Sequence, residues 1–155
     1  MKSICCLAVG RLKTPHWVAA AEHYVKLISR FTRLDQSVVK DAPGHLSPEA
    51  RNEFEGRALL VGLGPKDLLL GLDVRGHAYS SEGFSAAMAQ WLEDPVRRPC
   101  FVIGGAYGLS PPVLDRSDRL ISLGTMTLPH ELARVVLFEQ IYRAMTILRG
   151  TGYHH

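Results

Sequence analysis

Apolar residues gather in five short, nearly continuous runs: Ser3–Val9, Gln36–Lys40, Leu68–Val74, Cys100–Gly104 and Leu120–Leu123. Continuous rather than alternating hydrophobicity predicts strands buried on both faces, as in a parallel sheet covered by helices. The stretches between them carry helix-start chemistry. Thr14-Pro15, Ser47-Pro48 and Ser110-Pro111 each set a hydroxyl before a proline, and proline costs nothing at a first helical position whose N–H has no partner. Leu128-Pro129 repeats the proline without the hydroxyl, and Glu131 then falls in the first turn, where a carboxylate suits the helix dipole. Phe84, Met88, Trp91 and Leu92 recur at helical spacing between Ser81 and Glu93. The predicted order is strand then helix, five times over. That order implies an α/β fold built on a parallel sheet, in a single domain over residues 1–155.

The last helix carries a wide apolar stripe. Leu132, Val135, Val136, Ile141, Met145 and Leu148 line one side, and Leu137 and Phe138 broaden it. Two readings stay open: a core helix within one chain, or a helix whose second face meets another subunit. The loop from Asp41 to Ser47, with Pro43 and Gly44, reads as the most mobile segment.

Composition narrows the class. Hydrophobic residues make up 46% and charged residues 21%, as in ordinary soluble domains. No apolar run reaches the roughly 20 residues of a membrane span. The first run stops at Gly10-Arg11 with no small-residue cleavage site, so it is expected to be a strand and not a signal peptide. Cys5, Cys6 and Cys100 are odd in number and lie in strand-like runs. Buried free thiols and a cytoplasmic location follow as expectations. The net charge of +3 is uneven: residues 1–40 hold seven basic and two acidic residues, whereas residues 67–128 hold five basic and seven acidic. A basic first third suits a polyanion or a solvated helix face, and charge alone does not choose.

Three loops leave the carboxyl ends of predicted strands, where open α/β sheets bind ligands. They are Asp73-Val74-Arg75-Gly76-His77, Gly104-Gly105-Ala106-Tyr107-Gly108-Leu109-Ser110, and Gly124-Thr125-Met126-Thr127-Leu128-Pro129. Their glycine spacing matches neither G-x-G-x-x-G nor G-x-x-x-x-G-K-[ST]. His130-Glu131 is not H-E-x-x-H, because Arg134 stands where the second histidine belongs, and no G-x-S-x-G elbow occurs. A catalytic metal is not expected. Glu139 and Arg143 are four apart in the acid-first order that favours an ion pair. Arg134, one turn into the helix, is placed to meet an acidic or anionic group. Tyr153-His154-His155 ends the chain.

These pieces together resemble one family. Leu72-Asp73-x-x-Gly76, Phe101-Val102-Ile103-Gly104-Gly105-x-x-Gly108-Leu109, Met126-Thr127-Leu128-Pro129-His130, Arg134-Val135-Val136-Leu137-x-Glu139-Gln140-x-Tyr142-Arg143-Ala144 and Tyr153-His154 follow in its order. The chain is similar to the bacterial large-subunit ribosomal RNA pseudouridine N3-methyltransferases, the RlmH family, minimal members of the SPOUT methyltransferases. The likeness runs from Ala8-Val9-Gly10-Arg11-Leu12-Lys13 to the last residues. It implies a parallel-sheet SPOUT fold with a C-terminal deep trefoil knot, a homodimer, and S-adenosyl-L-methionine as cofactor. Leu72, Gly104, Gly105, Leu123, Gly124, Thr125, Met126, Thr127 and Leu128 are then expected to hold the cofactor. His154 is expected to position or accept the N3 proton, Tyr153 to orient the base, and Arg143 to stabilise negative charge or bind phosphate. The partner implied is ribosomal RNA of the large subunit, within the ribosome. His155 stands where the family often has Lys or Arg, and Tyr107 receives no role. Another RNA target, a non-catalytic ribosome-binding factor and a flavodoxin-like nucleotide binder are the alternatives.

Overall fold

The computed structural model describes residues 2–155. Its elements run β1 (Ile4–Val9), α1 (Pro15–Ile28), β2 (Leu34–Val39), α2 (Pro48–Gly62), β3 (Asp67–Ala78), α3 (Ser81–Glu93), β4 (Arg98–Ile103), α4 (Pro111–Arg116), β5 (Arg119–Ser122) and α5 (His130–Leu148). The five predicted strands and five helices are all present. The bounds shift most in β3, which runs four residues beyond the apolar stretch that announced it. The strands form one parallel sheet in the order β2-β1-β4-β3-β5.

Alternation along each strand divides the core in two. Ile4, Cys6, Ala8, Phe101 and Ile103 face α1, α3 and α5, whereas Cys5, Leu7, Val9, Cys100 and Val102 face α2 and α4. Helices on both faces explain why β1 is apolar at every position: all six of its residues are buried. On the first face, Phe84, Trp91 and Phe101 meet at ring-centroid distances of 6.0–6.2 Å, a favourable spacing for tilted and edge contacts. α5 lies against both α1 and α3. Val135, Leu137, Phe138, Ile141, Ala144 and Met145 of its stripe are buried within the chain, whereas Leu132 and Val136 are half-buried and Leu148 is exposed.

Of the three hydroxyl-proline starts, only Ser47 caps as expected, accepting the Ala50 N–H at 3.2 Å. Ser110 makes no cap bond and is buried against Gly56. Thr14 turns instead to α5: the Glu131 carboxylate accepts the Lys13 and Thr14 N–H groups at 3.3 and 3.2 Å, so the start of α1 is capped from another helix. Arg134 likewise meets no anion. It is buried, and its guanidinium donates to the Gly10 carbonyl at 2.8 Å. Burial lowers its pKa from the usual guanidinium value. The segment Asp41–Ser47 is held at its start, where Asp41 pairs with Lys13 at 3.5 Å and buried Ala42 donates its N–H to Glu55, and at its end, where Ser47 caps α2.

β3 pairs with β5 twice. Leu70–Leu72 align with Arg119–Ile121, and His77–Ala78 align with Ile121–Ser122, so Ile121 is partnered by Leu72 and by His77. Residues 73–76 carry the chain between the two pairings. Gly76 is required there, because a Cβ would lie 2.5 Å from the Leu120 carbonyl carbon. The carboxyl ends of β1, β3, β4 and β5 share one sheet edge, as parallel strands must.

Candidate functional site

A cavity of about 780 Å³ opens at that edge. Three chain segments make it: the β3 exit (Leu72 to Arg75), the β4 exit (Ile103 to Gly108), and the β5 exit running through Leu123, Gly124 and Met126 to Pro129 and the start of α5. Eight of the nine residues expected to hold a cofactor line it: Leu72, Gly104, Gly105, Leu123, Gly124, Met126, Thr127 and Leu128. Thr125, the ninth, is exposed and not part of the wall. Pattern reading passed over Ile103, Ile121, His130 and Ala133, which also line it. Ile103 and Ile121 read as ordinary strand residues, and His130 belongs to the family pattern without an assigned role.

The wall chemistry is mostly apolar side chain and bare backbone. Gly104 has no room for a side chain, since a Cβ would meet the Gly108 carbonyl carbon at 2.5 Å. Gly124 adopts a φ of +141°, which favours glycine. The Asp73 and Arg75 charges at the rim neutralise each other. Arg75 Nε and Nη2 donate to the two Asp73 oxygens at 2.9 and 3.0 Å, and these bonds hold the carboxyl below its usual pKa. Such a site suits a largely apolar, phosphate-free heterocycle read by backbone groups.

Arg143, Tyr153 and His154 come together elsewhere, and none of them lines the cavity. Glu139 is the centre of their cluster. Its Oε1 accepts from Arg143 Nη2 at 2.5 Å and from the Tyr153 hydroxyl at 3.1 Å. The Arg143 guanidinium lies 4.8 Å from the Tyr153 ring centroid, within cation–π range. Tyr142 packs edge-on against the same ring at 4.7 Å. Tyr153 is therefore not a frayed end. Burial, then the bond to Glu139, pushes its pKa up to about 12, so the hydroxyl stays protonated at neutral pH and donates its hydrogen bond to Glu139.

His154 has both ring nitrogens engaged: Nδ1 lies 3.3 Å from Arg143 Nη1 and Nε2 lies 3.0 Å from Glu82 Oε1. The neutral tautomer protonated at Nε2 satisfies both contacts, accepting from Arg143 and donating to Glu82. In this arrangement the ring has no free lone pair, so it must release Arg143 before accepting a proton. Glu82, in the first turn of α3, gave no sequence signal for this contact because its partner is 72 positions away.

A crevice of about 230 Å³ lies between the cavity and α5. It shares Ile121, Leu123 and Gly124 with the cavity and adds Tyr79, Phe84 and Gln140. Gln140 donates to Glu139 Oε2 at 2.6 Å, which links this crevice to the tail cluster.

The three cysteines are buried and free, as expected. Burial pushes the Cys6 thiol up to about 12. Cys5 and Cys100 face each other across β1 and β4, and their shared hydrogen bond lowers the first thiol and raises the second. Among the described residues no group of three or more His, Cys, Asp or Glu side chains could hold a metal ion.

Comparison with known proteins gives the family. A family model described as a predicted SPOUT methyltransferase matches residues 1–154. A protein of Nitratidesulfovibrio vulgaris named ribosomal RNA large subunit methyltransferase H is 50% identical over the full length of both chains. One of the same name from Oleidesulfovibrio alaskensis is 48% identical, again over both full lengths. Among solved structures, a probable methyltransferase from Bordetella pertussis superposes with a TM-score of 0.57 at 17% identity, covering 92% of this chain and 93% of that one, a likeness of fold alone. A family model that spans residues 1–154 and relatives about half identical over their full length leave one assignment: the chain belongs to the SPOUT methyltransferase family.

Proposed function

We propose that this protein transfers a methyl group from S-adenosylmethionine to N3 of a pseudouridine in large-subunit ribosomal RNA. It acts in the cytoplasm, on the assembled ribosome, as a homodimer of single-domain chains. The observation that carries the reading is the cavity at the sheet edge, with its apolar walls, bare glycine backbone and self-neutralised rim charges. The curated relatives carry the name of a large-subunit RNA methyltransferase over the whole chain length. Membership of the SPOUT family supports a C-terminal trefoil knot.

When bound, S-adenosylmethionine supplies an electrophilic methyl on a sulfonium. The chain's own residues have three tasks. Leu72, Leu123 and Leu128, with the backbone of Gly104, Gly105, Gly124, Met126 and Thr127, would hold the cofactor. Arg143, held by Glu139, stabilises the negative charge that grows on the uracil ring as N3 loses its proton. Tyr153 donates a hydrogen bond that orients the base, and His154 takes the N3 proton on Nδ1 after Arg143 turns to the substrate. Because the tail cluster lies outside the cavity of its own chain, the homodimer completes the site: the tail of one protomer serves the cavity of its partner.

Mass mapping of large-subunit RNA from cells with and without the gene tests the reading. Loss of one methylated pseudouridine is expected, and an unchanged map rejects it. Absence of S-adenosylmethionine binding by calorimetry favours a non-catalytic ribosome-binding role instead.

A further inference from the structure

α2 holds the β4 exit loop, which forms one wall of the cavity. Asn52 Nδ2 donates to the Tyr107 and Gly108 carbonyls at 3.3 and 3.0 Å, holding the β4 exit loop from behind. One turn later Glu55 is only 4% exposed, although it carries a carboxylate. Its Oε1 accepts the buried Ala42 N–H at 3.1 Å. Its Oε2 has no hydrogen-bond partner. That oxygen abuts Gly105, where a Cβ would lie 2.5 Å from it. Gly105 is itself a cavity wall, so a single layer of backbone separates Oε2 from the cavity. The neighbouring Arg51 does not offset the charge by pairing: its guanidinium lies over the Tyr107 ring, 5.5 Å from the centroid.

A buried carboxylate with an idle oxygen is unfavourable unless a positive group completes it. The cavity offers none, since the Arg75 charge is consumed by Asp73. Nor does the wall offer another free carboxylate to a cationic ligand. Methyl transfer changes the ligand's charge: the methyl leaves with the acceptor's electron pair, the S–C pair stays on sulfur, and the sulfonium becomes a neutral thioether. We propose that Glu55 is a specificity-determining residue, a buried counter-charge behind Gly105 that favours the sulfonium cofactor over its neutral product. This rests on the proposed placement of S-adenosylmethionine against Gly104 and Gly105. Such a charge aids both capture of cofactor and release of product without touching either.

The test is calorimetric titration of the full chain, wild type and Glu55→Gln, with S-adenosylmethionine and with S-adenosylhomocysteine. Glutamine keeps the shape and an oxygen for the Ala42 N–H but removes the charge. Affinity for S-adenosylmethionine should fall roughly ten-fold while affinity for S-adenosylhomocysteine holds within about two-fold. Equal weakening of both marks a structural role and overturns the proposal, as does no change. Hydrogen exchange on the wild type gives a second readout that needs no variant. The Ala42 amide, bonded to the same carboxylate, should be protected differently by the two ligands, and identical protection overturns the proposal. If the wild type binds neither ligand, the cofactor assignment fails and this inference fails with it. If it binds both without the charge pattern, only the role of Glu55 fails.

Discussion

Replacing Glu139 with alanine removes one oxygen that both Arg143 and Tyr153 use. The carboxylate is well covered, with 17% of its side-chain surface exposed, and Arg143 retains 24%. The ion pair lies within α5 and supports the helix by only about 0.3–0.5 kcal/mol. The tail loses more. A hydrogen bond to a charged group nets about 1.5–3 kcal/mol when buried, and partial exposure at Tyr153 reduces this to about 1 kcal/mol. Freeing Arg143 also loosens its stacking on Tyr153 and its contact with His154. The docked tail should therefore become roughly five- to ten-fold less populated relative to the undocked tail. Turnover should fall by up to that factor, the full drop applying where the docked tail is the minor state, measured as methyl transfer to large subunits from cells lacking the gene. Affinity for S-adenosylmethionine should not change, because Glu139 is absent from the cavity wall. Undiminished turnover, or a matching loss of cofactor affinity, would refute this reasoning.

Three further outcomes are expected. Gly76→Ala forces a Cβ to within 2.5 Å of the Leu120 backbone, and overpacking of about 1–3 kcal/mol should lower the thermal midpoint by roughly 3–10 °C. A calorimetric midpoint equal to wild type would show that β3 does not approach β5 so closely. Cys5, Cys6 and Cys100 should resist alkylation in the native protein at neutral pH and react on unfolding, counted by mass; rapid native labelling of Cys6 contradicts its elevated pKa. Tyr153 has its folded pKa raised to about 12, above the ordinary 10.0. Its contribution to tail docking is thus fully present below pH 10 and lost as pH rises through 12. Spectrophotometric titration of wild type against Tyr153→Phe should assign it the later ionisation, and a midpoint near that of free tyrosine rules this out.

The local pattern alone determined much of this protein. Continuous apolar runs such as Ile4–Val9 announce strands covered on both faces, because a strand exposed to water on one side would alternate. Parallel strands in turn force their exit loops to one edge, so the Gly104–Ser110 and Gly124–Pro129 loops are legible as neighbours there, while the choice of Leu123–Leu128 as cofactor wall came from the family resemblance. Joint motif order carried the family. Contacts between distant residues were not legible, because no local periodicity records a partner outside its own element. Glu139 read as half of an ion pair with Arg143, which the fold forms, and it is also the acceptor for a tail fourteen positions on. Arg134 read as a binder of anions and instead secures the Gly10 carbonyl, 124 positions back. Glu55 sits among Glu49, Arg51, Glu53 and Arg57, a composition of solvated surface, and is buried only because the β4 exit loop closes over it. Side-chain period, cap chemistry and glycine geometry are properties of neighbours in sequence. The placing of a charge beside an uncharged loop, or of a tail outside its own cavity, is decided when separate elements pack.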